Sequence, residues 1–366
     1  MKIFYDYQIF CIQDFGGISK YFSKIIHYFQ SKAVGIEPLV AIKFTNNYHL
    51  QQEVKDLKTL KFLPSTQVVG KYRALDTINR FFTIKKLKTD FDLFHPTYYN
   101  PYFLKYLNQK PFVLTVHDMI HELFPDYYPT HDQTTQHKKQ LADQAAKIIA
   151  ISENTKKDLV RLLGIPPEKI EVIYHGCTLS TRQPKPGPAL PKDYFLFVGQ
   201  RAGYKNFQLL LTAFRSLLPK YPHLALVCVG KPFSPEERLF LEKHELAQQV
   251  IHRQLSDDEL AWAYGQAICL VYPSLYEGFG IPILEAFHNA CPTVLSRASC
   301  FPEIALDAAI YFEPDRPESL QEALEKIYLD KKLRQKLIER GQKRAQDFSW
   351  KKTARATLKV YQSVIG

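Results

Sequence analysis

Residues Tyr272–Cys291 read YPSLYEGFGIPILEAFHNAC. The apolar run Ile268–Tyr272 before the loop reads as a buried strand. Gly278 and Gly280 then flank Phe279, and Pro282 suits the first turn of a helix, where its missing N–H has no partner to lose. Strand, glycine loop and helix in that order are the unit of a parallel α/β sheet, whose ligands sit beyond the carboxyl ends of the strands. Glycines there let backbone N–H groups approach a ligand, and the helix N-terminus favours anionic groups. Glu277 in the loop and Glu285 on the helix are placed to accept hydrogen bonds from sugar or ribose hydroxyls. The ordinary alternative is a solvated loop carboxylate beside a first-turn Glu favoured by the helix dipole.

The same alternation extends outward. Tyr194–Val198 and Leu224–Val229 read as strands around a helix capped by Asn206. Ser256–Glu259 is a capping box that Leu255 and Leu260 can staple. Thr293–Leu295 is a further strand. Ser349 caps a last helix with Trp350, Ala354, Leu358, Tyr361 and Ile365 on one face. In the first half, Ile3–Phe10 reads as a strand, Asp14–Gly17 as a loop and Ile18–Phe29 as a helix. Leu93–His95, Phe112–His117, Lys147–Ile151 and Glu171–Tyr174 read as strands, with Ser152 capping a helix through Leu163. Pro184, Pro186, Pro188 and Pro191 crowd residues 177–193, which neither pair in a sheet nor continue a helix. The expected organisation is a first α/β domain at 1–176, a linker at 177–193, a second α/β domain at 194–348, and a helix at 349–366 that packs back on the first.

Length agrees with two domains: 366 residues exceed one ordinary core. A hydrophobic fraction of 46% with 23% charged residues is globular, which excludes disordered and fibrous classes. No apolar run approaches the ~20 residues of a membrane span, and Met1–Tyr7 does not read as a signal peptide. The six cysteines show no C-x-x-C spacing, so a reducing, cytoplasmic setting is expected. The excess of 48 Lys+Arg over 37 Asp+Glu favours anionic partners, whether nucleic acid, a membrane surface or a phosphorylated substrate.

The E-G-F-G-x-x-x-x-E pattern from Glu277 to Glu285 resembles family 4 of the retaining glycosyltransferases. Val198-Gly199-Gln200-Arg201 with Lys205-Asn206-Phe207 is similar to that family's donor-phosphate segment. Gly16-Gly17-Ile18-Ser19 is similar to its N-terminal glycine pair, Val116-His117-Asp118 to its strand-end histidine, and Phe348-Ser349-Trp350 to the start of its final helix. The resemblance spans nearly the whole chain. It departs in placing Arg201 one position later than the commonest spacing, and in Tyr174-His175-Gly176 where Asn-Gly is frequent.

The resemblance implies the GT-B fold: two Rossmann-like, doubly wound α/β domains facing a central cleft. It implies transfer of a sugar from a nucleotide-diphosphate donor to an acceptor hydroxyl with retention, without metal or cofactor. Glu277, with Gly278, Phe279 and Gly280, would contact the donor sugar. Glu285 would hold the ribose, Arg201 and Lys205 would neutralise the diphosphate, and Gly16, Gly17 and His117 would serve from the N-terminal domain, with His117 beside the transferred sugar. The His-Asp-Met-Ile-His-Glu and Tyr-Lys-Asn-Phe variants lean toward GDP-mannose, with UDP-sugars also open. The acceptor would be a saccharide or lipid-linked, as in cell-surface polysaccharide or glycolipid synthesis.

Other readings remain. Asp90-Phe91-Asp92 fits a metal-binding D-x-D but reads as structural, and His117 with His121 would need one continuous helix to bind zinc. A non-transferase relative such as a sugar-nucleotide epimerase, or a basic nucleic-acid-binding protein, are the other classes. Finally, Lys71–Lys88 reads KYRALDTINRFFTIKKLK, six cations against Asp76 alone. Leu75, Ile78, Phe82 and Lys85 follow approximate helical spacing, with Phe81, Ile84 and Leu87 adding apolar bulk. Such a helix either packs on the sheet with its lysines in water or rests peripherally on an anionic bilayer.

Overall fold

The computed structural model describes residues 1–31, 35–55, 57, 59–60, 71–177, 187–201 and 203–366. Most of the expected proline-rich linker, 178–186, lies outside the described residues. The chain forms two compact units: Met1–Gly176 with Ser349–Gly366, and Cys177–Phe348.

In the first unit, β1 (Lys2–Tyr5), β2 (Glu37–Val40) and β3 (Leu93–His95) form a parallel sheet in the order β2-β1-β3. The strands β4 (Val113–Val116), β5 (Lys147–Ala150) and β6 (Ile170–Val172) form a second, ordered β4-β5-β6. A parallel bridge between Phe94 and Phe112 connects β3 with the start of β4. Residues of β3 and β4 are buried throughout, as parallel strands covered on both faces should be.

β1 stops at Tyr5, five residues short of the expected Phe10. Asp6, fully buried, accepts from the Thr97 backbone N–H (2.9 Å), the Thr97 hydroxyl (2.7 Å), Gln8 Nε2 (2.7 Å) and the Tyr102 hydroxyl (3.1 Å). That polar anchor turns the chain out of the ladder into a helix, Gln8–Ile12. Ile9 and Phe10 remain buried on it, which is why the stretch imitates a longer strand.

The helix Trp350–Ile365 lies in the first unit. The Ser349 hydroxyl accepts from the Lys352 N–H at 3.2 Å, capping it, and the Thr353 hydroxyl donates to the Tyr174 carbonyl at 2.8 Å. Near its far end the Tyr361 hydroxyl meets Tyr5 Oη at 2.9 Å and His95 Nδ1 at 2.6 Å in the sealed core. Gly176 runs against the start of this helix: a Cβ there would lie 2.1 Å from the Trp350 nitrogen and 2.6 Å from the Ser349 carbonyl carbon and Trp350 Cα. Gly176→Ala is therefore expected to destabilise the first unit by about 1–3 kcal/mol, read as a lowered denaturant midpoint. A midpoint equal to wild type would show that the helix can shift freely.

The second unit is one six-stranded parallel sheet. Its strands are β7 (Tyr194–Val198), β8 (Ala225–Val229), β9 (Val250–Arg253), β10 (Cys269–Tyr272), β11 (Thr293–Ser296) and β12 (Ala309–Phe312), ordered β12-β11-β10-β7-β8-β9. Side chains alternate between faces with a period of two. Phe195, Phe197, Leu226 and Cys228 pack into one core, while Tyr194, Leu196, Ala225 and Val227 pack into the other. The chain lays β8 and β9 on one side of β7, then returns to lay β10 on the other. The order reverses between β7 and β10, and ligands of open α/β sheets bind at that switch point. All six cysteines are free thiols.

Candidate functional site

Beyond β7 the backbone reaches Gly199 (φ +130°), and beyond β8 it reaches Gly230 (φ +148°). A Cβ on Gly230 would stand 2.6 Å from the Gly199 carbonyl, so only glycine allows these two strand ends to lie together. A 3₁₀ turn, Gly203–Lys205, then leads into the helix Phe207–Leu217. Asn206 occupies the capping position but not by the expected bond. It adopts the left-handed region (φ +54°) and its side chain makes no cap; Nδ2 donates instead to the Pro314 carbonyl at 2.8 Å.

Lys205 ends this turn on the β7 side of the switch point, and Glu277 stands in the loop after β10 on the other. They meet: Lys205 Nζ is 2.5 Å from Glu277 Oε1, with side chains 15% and 11% exposed. The Leu275 N–H donates to the Tyr204 carbonyl at 2.8 Å and joins the two loops. The Lys205 ammonium also lies over the rings of Tyr204 (5.1 Å) and Tyr272 (5.7 Å). Burial, and then the Glu277 charge beside it, hold the Tyr272 phenol far above its ordinary range. The Glu277 backbone is pinned from β11's following loop. Its N–H donates to the Ser299 hydroxyl (3.0 Å), while its carbonyl accepts from Ser299 Oγ (2.5 Å) and Cys300 Sγ (3.2 Å).

Gly278, Phe279 and Gly280 are buried in the same loop. Gly280, at φ +91°, caps the helix Ile281–His288; a Cβ there would lie 2.9 Å from Ile283 Cδ1 and 3.2 Å from Phe301 Cε1. Phe279 packs edge-on to Phe348, ring centroids 5.8 Å apart. One turn into the helix, Glu285 accepts from the Tyr264 hydroxyl at 3.3 Å. The two glutamates thus share one loop–helix unit and are held by different partners.

The Arg201 side chain, 5% exposed, is engaged elsewhere. Its Nε and Nη2 donate to the two Glu237 carboxylate oxygens at 2.8 and 3.0 Å, and Nη2 also to the Pro232 carbonyl at 2.9 Å. Burial alone would raise the Glu237 carboxyl, but the hydrogen bonds from Arg201 and the Ser234 amide outweigh it and hold it below the usual range. Phe233 lies under the guanidinium at 4.7 Å. Nη1 is buried and has no partner among the described residues.

In the first unit, Gly17 opens the helix Gly17–Ser31 and the Gly16 carbonyl accepts from the Ser19 hydroxyl at 3.0 Å. A Cβ at Gly16 would collide with the Gln13 side chain. His117 follows β4, as expected for a strand-end residue. Its backbone N–H donates to the Tyr99 hydroxyl at 3.0 Å. Its ring lies parallel to His175, centroids 5.8 Å apart, and edge-on to Tyr21 at 5.2 Å. Burial, then the neighbouring His175, His95 and Lys138, push it well below the ordinary imidazole range, so it is neutral. Its Nε2 is buried without a partner among the described residues.

Among the described residues no group of three His, Cys, Asp or Glu side chains could hold a metal. His121 stacks on Tyr128 at 3.8 Å, and Glu122 is engaged by Lys138 at 2.8 Å. Lys138, buried, also donates to the Asp118 carbonyl at 3.0 Å and lies over the Tyr99 ring. Lys138, Tyr99 and Glu237 support site residues yet escape sequence reading. Each sits more than a dozen positions from the residue it supports and carries no motif.

The helix Lys71–Lys86 is present, and it turns Leu75, Asn79 and Thr83 inward; of the apolar residues at helical spacing, Leu75 is buried, Phe82 half-buried and Ile78 exposed. Asn79 supplies the reason. Its Oδ1 accepts from the Lys43 and Phe44 N–H groups and its Nδ2 donates to the Phe44 carbonyl, so a polar residue holds the inward position. Ile78 and Phe81 are 39% and 62% exposed, beside exposed Lys85, Lys86 and Lys88.

A parallel sheet with a glycine-lined switch point, a cation and a carboxylate meeting across it, and a second α/β unit define a class. The model for Glycosyltransferase Family 4 matches residues 15–181, and that for Glycosyl transferases group 1 matches residues 180–344. The chain belongs to family 4 of the glycosyltransferases and has their two-domain GT-B fold. It is 27% identical to O-antigen chain mannosyltransferase B of Escherichia coli, over 81% of this chain and 80% of that protein. It is 29% identical to O-antigen chain mannosyltransferase RfbU of Salmonella typhimurium, over 57% of this chain and 59% of that one. Anabaena HepE, solved with UDP and glucose, superposes with a TM-score of 0.74 over 99% of both chains at 16% identity.

Proposed function

We propose that the protein moves a mannosyl residue from GDP-mannose to a hydroxyl of a saccharide or lipid-linked acceptor, with retention and without metal, in polysaccharide synthesis on the cytoplasmic side. The observation that carries this is the Lys205–Glu277 pair across the switch point. A bound diphosphate competes for the Lys205 ammonium and frees Glu277 for the donor sugar's hydroxyls. Arg201, held by Glu237, turns its unpartnered Nη1 N–H groups to a phosphate oxygen. Gly278–Gly280 offer backbone N–H groups, Glu285 takes the ribose, and Gly16 and Gly17 let the first unit's backbone approach the substrate. Neutral His117 offers Nε2 to a sugar hydroxyl. The acceptor oxygen attacks the anomeric carbon on the face the diphosphate leaves. The bond from carbon to phosphate oxygen breaks, and the acceptor's proton passes to that oxygen. The charge developing on the diphosphate is where fixed cations lower the barrier. Names of the curated relatives support mannosyl transfer, whereas the UDP in Anabaena HepE favours a UDP-sugar as the second reading.

A thermal-shift panel of GDP-, UDP- and ADP-sugars tests the donor. GDP-mannose at 100 times its Kd should add about 2.7 kcal/mol of apparent stability. A shift with UDP-sugars alone would transfer the assignment to the second reading, and no shift with any would remove the donor site.

No helix among the described residues is long and apolar enough to cross a membrane. We assign the exposed Ile78, Phe81, Lys85, Lys86 and Lys88 to peripheral contact with an anionic leaflet, where each cation adds about 1 kcal/mol of attraction. Wild type should sediment with anionic liposomes at low salt and be released by salt, and Lys85→Glu/Lys86→Glu/Lys88→Glu should stay in the supernatant at unchanged Tm. Wild type that never sediments points to a soluble acceptor.

A further inference from the structure

The first unit contains a cleft of about 210 Å³ that none of these roles uses. Gln8, Tyr72, Asp76, Tyr98, Asn100 and His137 line it, with Tyr99 at its floor and Ile12 at its rim. It lies where β1 and β3 give way to their following loops. We propose that this cleft binds one neutral sugar ring of the acceptor, an inference that rests on the transferase reading.

Size sets the first limit. The volume equals about seven waters at ~30 Å³ each and is smaller than the ~300–1,000 Å³ of clefts that take drug-sized ligands. A single pyranose ring is of that order; a nucleotide is not.

The walls match a polyol. Tyr98 and Tyr99 form a tilted pair with ring centroids 4.6 Å apart, and Tyr72 is 54% exposed. Aromatic faces of this kind take the C–H side of a sugar ring, while polar groups fix its hydroxyls. Asp76 is held rigid: the Tyr7 hydroxyl donates to Oδ1 at 2.8 Å and Arg80 Nη2 to Oδ2 at 2.7 Å. A carboxylate has about four lone-pair sites, so each oxygen can accept one hydroxyl more. Asn100 gives Oδ1 to the Tyr102 N–H at 3.1 Å, which leaves Nδ2 as a donor. Gln8 bonds the Asn100 backbone and Asp6, so the cleft's shape is set before a ligand arrives.

Charge excludes an anion. Asp76 neutralises Arg80 beside it. No Lys or Arg is among the residues that line the cleft, and burial, then the nearby Asp118 and Asp132, hold the Tyr98 phenol above its ordinary range. The chain as a whole is +11, so this neutral-to-acidic cleft departs from its surroundings. The cleft is also wired to the His117 loop, because the Tyr99 hydroxyl accepts the His117 backbone N–H.

The test uses the full chain. Saturation-transfer NMR is recorded with methyl α-D-mannopyranoside and with mannose 6-phosphate as the anionic probe, on wild type, Tyr72→Ala and Ile12→Trp. Both substitutions fall on exposed side chains, and the second plugs the rim. The expected result is a mannoside signal in wild type that falls at least fivefold in both variants and exceeds the phosphate's. GDP and UDP should still raise Tm as in wild type. An equal mannoside signal in all three proteins, no signal in wild type, or a stronger one from the phosphate overturns the proposal. If no nucleotide shifts Tm while the mannoside signal still depends on Tyr72 and Ile12, the cleft stands as a sugar site and the transferase reading falls.

Discussion

Lys205→Ala is expected to lower kcat/KM by about 10²–10³-fold, equivalent to roughly 2.7–4 kcal/mol, the scale for removing one preorganised group that stabilises developing negative charge. The substitution removes the cation that stands at the β7–β10 switch point, so both donor KM and kcat should suffer. Glu277→Ala should act mainly on kcat and Glu285→Ala mainly on donor KM, since only the first is assigned to the reacting sugar. Lys205 and Glu277 are in direct contact at 2.5 Å. Their effects should therefore not add: the double variant should fall short of the summed losses by about 0.5–3 kcal/mol. Strict additivity in steady-state kinetics would mean that the two side chains act independently.

The stability of the first unit is expected to fall steeply on acidification, starting near pH 6.5. His95, His117 and His175 are all buried in it, and burial lowers His95 and His175 to about 3 and His117 well below its ordinary value. Unfolded histidines take up protons near pH 6.5. Between that value and about 3 the unfolded chain binds more protons than the folded one, so stability rises with pH through this window and is lost as pH falls. Each group contributes at most about 1.4 kcal/mol per pH unit, and the three together about 4. Asp6 opposes them, because burial raises its carboxyl and a folded state that holds its proton gains on acidification. One group against three leaves the sign unchanged. Marginal stabilities of about 5–15 kcal/mol would be exhausted within a few pH units. Denaturant midpoints measured from pH 7 to 4, with fluorescence from Trp350 in this unit, check the slope. His95→Gln should flatten it by about a third, and a midpoint constant between pH 7 and 5 would contradict the account.

The sequence shows the strands buried on both faces, and of those at the margins it shows β6 but misses several. β2, β9 and β12 were not expected, and all three are edge strands with mostly half-exposed residues. An edge strand needs no continuous apolar run, so periodicity has little to detect. Ile3–Phe10 misled in the opposite sense, because a buried one-turn helix beside Asp6 is as apolar as a strand. The helix Lys71–Lys86 was legible as a helix but not in its orientation. Asn79 and Thr83 face inward on hydrogen bonds to the chain at 41–44.

At the site, Glu277, Glu285 and the glycines were legible because strand, loop and helix follow one another locally. The ion pair of Lys205 with Glu277 was not, since 72 residues separate them and only the strand order brings them together. Arg201's tie to Glu237 and the tyrosine-lined cleft were hidden for the same reason: each is assembled from segments that share no sequence pattern.

Calorimetric titration of GDP-mannose into wild type and Lys205→Ala tests the central claim most directly, because it reads donor binding without an acceptor. Wild type should bind one GDP-mannose per chain, and Lys205→Ala should bind it at least tenfold more weakly while keeping a cooperative thermal transition. Equal affinity in the two folded proteins, or heat from neither GDP-mannose nor a UDP-sugar in wild type, would contradict a nucleotide-sugar site built across the β7–β10 switch point.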